Sequence, residues 1–142
     1  MKKLVMVGSD VEKLIPQRAP IRMIDLAVFC EEDGITTGVD IKSDNIFVRN
    51  GELQAVGVVE HIAQSAAALA GYDTFRNKTA PKIGYIGEIR KLQIASLPKV
   101  GESIATTIKV ESVVGSVTLI SAVCIVENRT IAEGRMKIFI RE

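Results

Sequence analysis

The segment Val58–Gly71 is the part of this chain that most constrains its fold. Apolar and small residues fill most of the segment, and the α-helical period of about 100° per residue places its four polar side chains in one sector. Those side chains belong to Glu60, His61, Gln64 and Ser65. A helix that is apolar on most sides is buried. We therefore expect a sheet to wrap around this helix and to bring polar partners to its polar sector.

Gln64 is the central member of that polar sector. It lies one helical turn beyond both Glu60 and His61, so its amide can hydrogen-bond either side chain. His61 is rotated by about 100° from Glu60 around the helix axis and points in a different direction. We expect the helix to start near residue 53 or 54. Gly71 is placed to end it, because glycine readily adopts the positive φ of the residue after a helix.

Length, charge and composition exclude several classes of protein. The chain has 142 residues, a net charge of +1 and an aromatic content of 4%. This length suits one domain, and the charge and aromatic content argue against nucleic acid or an anionic membrane as a partner. No run of apolar residues approaches the roughly 18 to 20 that span a bilayer, and the apolar stretch after Lys3 is too short for a signal peptide. A cytoplasmic protein is expected.

The cysteine and histidine content argues against a metal site. Cys30 and Cys124 are far apart in strand-like surroundings, and we expect both to be free buried thiols. The chain has one histidine and no Cys-x-x-Cys sequence, so the sequence contains no metal-ligand cluster. We expect neither a metal nor another cofactor.

The rest of the chain is dominated by β-prone segments. A short helix is predicted over Val11–Leu14, with Ser9 or Asp10 as its N-cap and Pro16 ending it. A tight hairpin is predicted at residues 127–129. An antiparallel sheet of this kind covers an open edge by dimerisation. Alternation and turn signals predict six strands, over Ile21–Cys30, Ile35–Ile41, Ile83–Ala95, Ser103–Ser112, Val117–Val126 and Thr130–Ile140.

Four segments occur in an informative order, namely Leu14–Asp25, Val59–Gln64, Gly84–Arg90 and Pro98–Gly101. Together they resemble the hotdog-fold 3-hydroxyacyl-(acyl carrier protein) dehydratases. The first is similar to a Leu-Pro-His-Arg-x-Pro block, and the second to a helix motif in which Glu precedes Ala-x-Ala-Gln. The chain is most similar to the dehydratase-like proteins of aryl-polyene and related lipid pathways, some of which work beside a partner hotdog subunit.

The resemblance covers nearly the whole chain and implies its fold class. We expect an α+β hotdog fold, in which an antiparallel six-stranded sheet wraps around one long central helix. Residues 1–142 are expected to form a single domain. The resemblance also implies a homodimer, a higher oligomer or a heteromer with another hotdog subunit.

The sequence departs from the dehydratase pattern at the catalytic histidine. The usual enzymes carry a His-Phe-Pro-Gly loop before the helix, whereas Asn45–Gly51 contains no histidine. Gln17 replaces the histidine of the N-terminal block, and the Pro-Gly pair that opens the helix is replaced by Gln54 and Ala55. The family's catalytic histidine therefore has no counterpart in this chain.

The resemblance implies that Glu60 is the catalytic acid or base and that Gln64 orients it. Dehydration needs one group to remove an α-proton and another to protonate the leaving hydroxyl. The second group would come from His61 or from a partner chain, and the alternative for His61 is that it is a hydrogen-bonded packing residue.

Candidate substrate-binding residues lie around the helix start and on one strand. Backbone amides near Val56 and Gly57 are expected to stabilise a developing enolate oxygen, as helix N-termini do for anions. Phe47 lies in the loop before the helix. Gly57 and Gly87 mark close approach of the backbone, either at the wall of a substrate tunnel or in tight packing.

These features predict a protein that handles acyl thioesters carried on acyl carrier protein or coenzyme A. The leading function is that of a 3-hydroxyacyl-(acyl carrier protein) dehydratase in fatty-acid or polyene lipid synthesis. One alternative is an acyl thioesterase, because a lone carboxylate can activate water or attack the carbonyl. Another is a non-catalytic hotdog subunit that binds acyl chains or a partner.

Overall fold

A computed structural model describes residues 4–29, 34–76 and 83–141 of the chain. None of the helices within these ranges is both long and apolar enough to cross a membrane. The elements are β1 (Leu4–Val7), the 3₁₀ helix η1 (Gly8–Lys13), β2 (Leu26–Phe29), β3 (Gly34–Asp40), β4 (Val48–Arg49), β5 (Glu52–Leu53), α1 (Ala55–Arg76), β6 (Ile83–Ile94), β7 (Ser103–Val114), β8 (Val117–Val126) and β9 (Arg129–Arg141).

The main sheet has seven strands in the order β1-β2-β3-β7-β8-β9-β6, and every neighbouring pair is antiparallel. Helix α1 packs against β2, β3, β6 and β7. The predicted hotdog architecture is confirmed, with one strand more than the six expected. The additional strand is β1, whose Leu4 pairs with Phe29 and whose Val7 pairs with Leu26. It is only 4 residues long, too short for a clear alternating pattern.

One face of the sheet forms the core with α1. Burial alternates along β3 and along the first half of β7, as the sequence pattern predicts for half-buried strands. Two of the inward positions carry threonine: Thr37 on β3 is 1% exposed and Thr106 on β7 is 0% exposed. Both threonines lie on the face that meets α1. The buried core around them includes Ile35, Val39, Val58, Ile62, Ala66, Ile104, Ile108, Ala122 and Cys124.

Helix α1 begins at Ala55, close to the expected position, but it does not end at Gly71. It continues to Arg76, so Gly71 lies inside the helix. A Cβ added there would collide with the backbone carbonyl of Leu14. Glycine therefore occupies this position because two backbone segments approach closely, and not because a helix end needs positive φ. Residues 77–82, which follow the helix, lie outside the described ranges.

The first two predicted elements are also corrected. The strand predicted over Ile21–Cys30 begins only at Leu26, because the backbone groups of Ile21 and Met23 bond to side chains of α1 rather than to a strand. Cys30 lies outside the described residues. The helix predicted over Val11–Leu14 is the 3₁₀ helix η1, whose N-cap is Val7 without a side-chain hydrogen bond. Neither Ser9 nor Asp10 caps it.

The hairpin between β8 and β9 agrees with the sequence prediction. Its central residues, Glu127 and Asn128, have φ values of 50° and 44°. Positive φ at both central positions is typical of the primed turns that match the twist of two antiparallel strands. The hairpin joins β8 to β9, and the register of this pair shifts between Cys124 and Ile125.

We predict that Gly71→Ala destabilises the protein. Replacing a helical glycine by alanine ordinarily stabilises a helix by about 1 kcal/mol. Here the added methyl group meets the Leu14 carbonyl, and overpacking of this kind costs about 1 to 3 kcal/mol. Urea unfolding of the wild-type and variant proteins measures the difference.

The matched control is Gly38→Ala on β3. A Cβ at Gly38 would lie 3.5 Å from Leu26 Cβ, which is an ordinary van der Waals distance. We expect this control to change the free energy of unfolding by less than Gly71→Ala does. A Gly71→Ala protein more stable than wild type would show that α1 and Leu14 are not in contact.

Candidate active site

The polar sector of α1 meets polar groups at the helix–sheet interface, as expected. His61, Gln64 and Ser65 are each 0% exposed, and Glu60 is partly exposed. The Ser65 hydroxyl donates to the His61 carbonyl at 2.7 Å and lies 2.7 Å from Thr37 Oγ1 on β3. Because an unpaired buried polar group is costly, these contacts let the sheet close over a polar part of the helix.

Gln64 pairs with the backbone of the segment that precedes β2. Its Oε1 accepts a hydrogen bond from the Met23 N–H at 2.5 Å, and its Nε2 donates to the Ile21 carbonyl at 2.9 Å. The side-chain amide thus replaces a neighbouring strand for these two residues. Nε2 also donates to Glu60 Oε2 at 3.1 Å. Of the two partners that the helical spacing allowed, Gln64 contacts Glu60.

Glu60 is the member of the sector that is left open. Its side chain is partly exposed, and Gln64 holds one of its oxygens. Within the described ranges, Gln64 is the one hydrogen-bonding partner of the Glu60 carboxylate, so Oε1 can contact a ligand. A carboxylate with one oxygen fixed and the other open can accept or deliver a proton.

His61 has both ring nitrogens bonded inside the protein. Nδ1 lies 2.7 Å from the Met23 carbonyl oxygen, and Nε2 lies 2.7 Å from Thr106 Oγ1. A carbonyl only accepts, so Nδ1 carries the proton and Nε2 accepts the Thr106 hydroxyl. This geometry favours the packing alternative for His61, and a catalytic role for it stays a prediction.

Burial keeps the His61 ring neutral. It lowers the pKa of His61 to about 4, against the opposing effects of the Met23 carbonyl and the charge of Asp25. Beyond Thr106, the next buried group is Cys124, whose Sγ lies 3.2 Å from Thr106 Oγ1. Cys124 is a free thiol, as expected, and burial raises its pKa.

The first turn of α1 leaves fewer amide donors than expected. The N–H groups of Gly57 and Val58 donate to the Gln54 carbonyl at 2.9 and 3.2 Å. Those two amides are therefore already bonded at the helix start, and the binding of a substrate oxygen by amides of this turn stays a prediction. The first N–H groups of a helix have no partner within it, so the candidates for binding an oxyanion narrow to Ala55 and Val56.

Three of the four candidate substrate-binding residues come together at the helix start. A Cβ added at Gly57 would lie 2.7 Å from Phe47 Cβ, and Val56 is 61% exposed beside it in the sequence. Gly87 lies instead on the edge strand β6, where a Cβ would collide with the Phe139 ring. Contact of these four residues with a substrate stays a prediction.

Sequence reasoning missed several residues that build the site. The backbone groups of Ile21 and Met23 carry no sequence signal. Thr37 and Thr106 do carry one, because they are polar residues at inward positions of alternating strands. Asn45 lies in the loop that replaces the family's histidine loop, where its Nδ2 donates to Met23 Sδ at 3.1 Å and its Oδ1 accepts the Phe47 N–H at 2.8 Å.

We predict that buried His61 makes the protein less stable in acid. The unfolded chain binds a proton at the ordinary pKa of 6.5, whereas the folded chain binds one only near pH 4. Stability from this source is complete above pH 6.5 and falls as the pH drops toward 4, by about 3 kcal/mol in total. Urea unfolding of wild type and His61→Asn across this pH range should show the steeper fall in wild type. If the free energy of unfolding fell equally with pH in the two proteins, the conclusion that the buried ring is neutral would be wrong.

Comparison with known proteins places this chain in a family. A family model described as ApeP-like, ApeP dehydratase, matches residues 9–142. A curated relative, the 3-hydroxyacyl-[acyl-carrier-protein] dehydratase FabZ of Clostridium botulinum (strain Loch Maree / Type A3), is 24% identical over 135 residues, which are 90% of this chain and 91% of the relative. The predicted resemblance to the hotdog dehydratases is confirmed.

Solved structures show the same fold at low sequence identity. The dehydratase heterocomplex ApeI:P from Xenorhabdus doucetiae matches with a TM-score of 0.85 and 14% identity, over 93% of this chain and 91% of that one. A hypothetical thioesterase with coenzyme A from Streptococcus pneumoniae TIGR4 matches with a TM-score of 0.61 and 6% identity, over 78% and 80%. Since the family model covers nearly the whole chain, this protein belongs to the ApeP-like dehydratase family.

Proposed function

We propose that this chain takes part in the dehydration of 3-hydroxyacyl thioesters carried on acyl carrier protein, with Glu60 as its proton-transferring residue. The observation that carries the proposal is the state of the Glu60 carboxylate. Gln64 fixes one oxygen at 3.1 Å, the other oxygen is open, and the neighbouring polar side chains of the helix are buried and paired. We take the type of reaction, dehydration, from the family to which the chain belongs.

The reaction makes defined demands on the site. A base removes a proton from the α-carbon, the β-hydroxyl leaves as water after protonation, and a double bond forms between the two carbons. Charge develops on the thioester oxygen in the course of the reaction, and helix N-terminal amides can stabilise it. The amides of Ala55 and Val56, in the first turn of α1, are our candidates for that role. No electrons are exchanged, so the reaction needs no redox cofactor.

Glu60 supplies one of the two proton-transfer groups that dehydration needs. His61, the nearest titratable residue along the helix, has both ring nitrogens bonded to Met23 and Thr106. We therefore infer that a second hotdog subunit supplies the other group. The similar ApeI:P structure is a dehydratase heterocomplex, which supports a heteromer over a homodimer. We place the assembly in the cytoplasm.

Thioester hydrolysis is the second candidate function. A single open carboxylate beside helix amides can activate water or attack a thioester carbonyl without a second titratable group. This chain alone offers such a carboxylate, Glu60, on a helix that begins at Ala55. The third candidate is a subunit that binds the acyl chain and performs no chemistry.

Intact-mass measurement separates the three functions. The purified chain, alone and mixed with a candidate hotdog partner, is incubated with 3-hydroxyacyl and saturated acyl carrier proteins. Loss of water from the hydroxyacyl form supports the dehydratase, and loss that needs the mixture supports the heteromer. Release of free carrier identifies a thioesterase. An unchanged mass in every reaction contradicts both enzymatic functions.

We predict that Glu60→Gln lowers the rate of dehydration by at least about 10²-fold, because general acid–base catalysis contributes that much or more. The free energy of unfolding should change by less than about 1 kcal/mol, since the substituted side chain is partly exposed and keeps its shape. The measurements are the initial rate of the assembled enzyme and a urea titration.

The control for this variant is Glu111→Gln, which changes an exposed glutamate on β7. It should leave the rate at the wild-type level. A Glu60→Gln enzyme with full activity would remove Glu60 from the mechanism.

A further inference from the structure

The Met23 backbone is held on both sides by side chains of α1. Its N–H donates to Gln64 Oε1 at 2.5 Å, and its carbonyl accepts from His61 Nδ1 at 2.7 Å. Met23 is 0% exposed, so water does not compete for either bond. His61 and Gln64 are three residues apart and face the same part of the chain from successive turns. The two bonds together fix where the Met23 backbone lies against the helix.

The position of the Met23 N–H decides which way the Gln64 amide faces. With Oε1 on that N–H, Nε2 must point toward the Ile21 carbonyl and Glu60 Oε2. A flipped amide would place Oε1 against two acceptors and Nε2 against a donor, losing all three hydrogen bonds. Glu60 therefore always faces a donor, and its open oxygen keeps one orientation.

The His61 ring is itself anchored on the sheet. Nε2 accepts the hydroxyl of Thr106 on β7 at 2.7 Å, so the ring connects the sheet to the Met23 carbonyl. Burial of the ring holds it in the neutral form that makes both bonds. A chain of contacts thus runs from β7 through His61, Met23 and Gln64 to Glu60.

We infer that His61 is a positioning residue, which acts through the Met23 backbone to fix the Gln64 amide and thereby the Glu60 carboxylate. It touches no substrate, so the role differs from the catalytic role considered for it above. The consequence for turnover rests on the proposed dehydratase function, whereas the structural connection from His61 to Gln64 does not. The experiment accordingly has one readout of activity and one that needs no activity.

Two substitutions of His61 distinguish the effect of its Nδ1–H donor from the effect of the size of its ring. His61→Phe keeps a planar ring without a donor, and His61→Asn keeps an N–H group close to the position of Nδ1. Ser65→Ala is the matched control, because it removes a buried hydrogen bond from the same helix without touching Met23 or Gln64. His61→Leu provides a second donor-free variant if His61→Phe does not fold.

The activity readout is steady-state kinetics of the assembled enzyme. His61→Phe should lower kcat roughly 10-fold or more with little change in KM, since a misplaced catalytic group affects the transition state. His61→Asn should recover most of the loss, and Ser65→Ala should keep the wild-type kcat while lowering the melting temperature. Equal kcat values for His61→Phe and Ser65→Ala would overturn the inference.

The second readout is the NMR signal of the Gln64 side-chain amide. In wild type and His61→Asn its two protons should exchange slowly with water, and in His61→Phe they should exchange as those of a free glutamine do. Slow exchange in a folded His61→Phe protein, or fast exchange in wild type, would overturn the inference. If wild type shows no turnover but the amide behaves as expected, the proposed function fails and the positioning role stands.

Discussion

The structure depends on hydrogen-bond partners for the polar side chains of a buried helix. Helix α1 presents His61, Gln64 and Ser65 to the interior, where each is 0% exposed. Burying such groups without partners would cost about 1 to 3 kcal/mol each, a large share of the stability of a small domain. Partners come from inward-facing threonines of the sheet and from the backbone before β2. The sheet can close over the helix only because these partners are present.

The hydrogen bonds of the polar sector also determine the surroundings of the Glu60 carboxylate. The buried members are paired within the protein, and the partly exposed Glu60 has one oxygen held and one open. The bond that holds Glu60 comes from the same Gln64 amide that anchors the Met23 backbone. The contacts formed on folding therefore also orient the Glu60 carboxylate before a substrate binds. Such preorganisation is what electrostatic catalysis requires.

Local patterns in the sequence predicted much of the fold but not its close contacts. Alternation identified most of the strands, and the helical period identified the polar sector, in which Gln64 could bond either Glu60 or His61. The end of α1 was missed, since Gly71 serves the approach of Leu14, a residue far away in sequence. The start of β2 was missed because a side chain, Gln64, replaces a strand as the partner of the backbone. The alternating strand pattern placed Thr37 and Thr106 on the inward face. Their bonds to Ser65 and His61 became visible only in the structure.

We propose that Glu60 transfers a proton in a reversible dehydration that a second subunit completes. The most direct measurement is incorporation of oxygen from oxygen-18 water into the 3-hydroxyl group of a hydroxyacyl carrier protein, because the label enters only if water leaves and returns. We expect incorporation by the assembled wild-type protein and almost none with Glu60→Gln. Equal incorporation by the two proteins would contradict it.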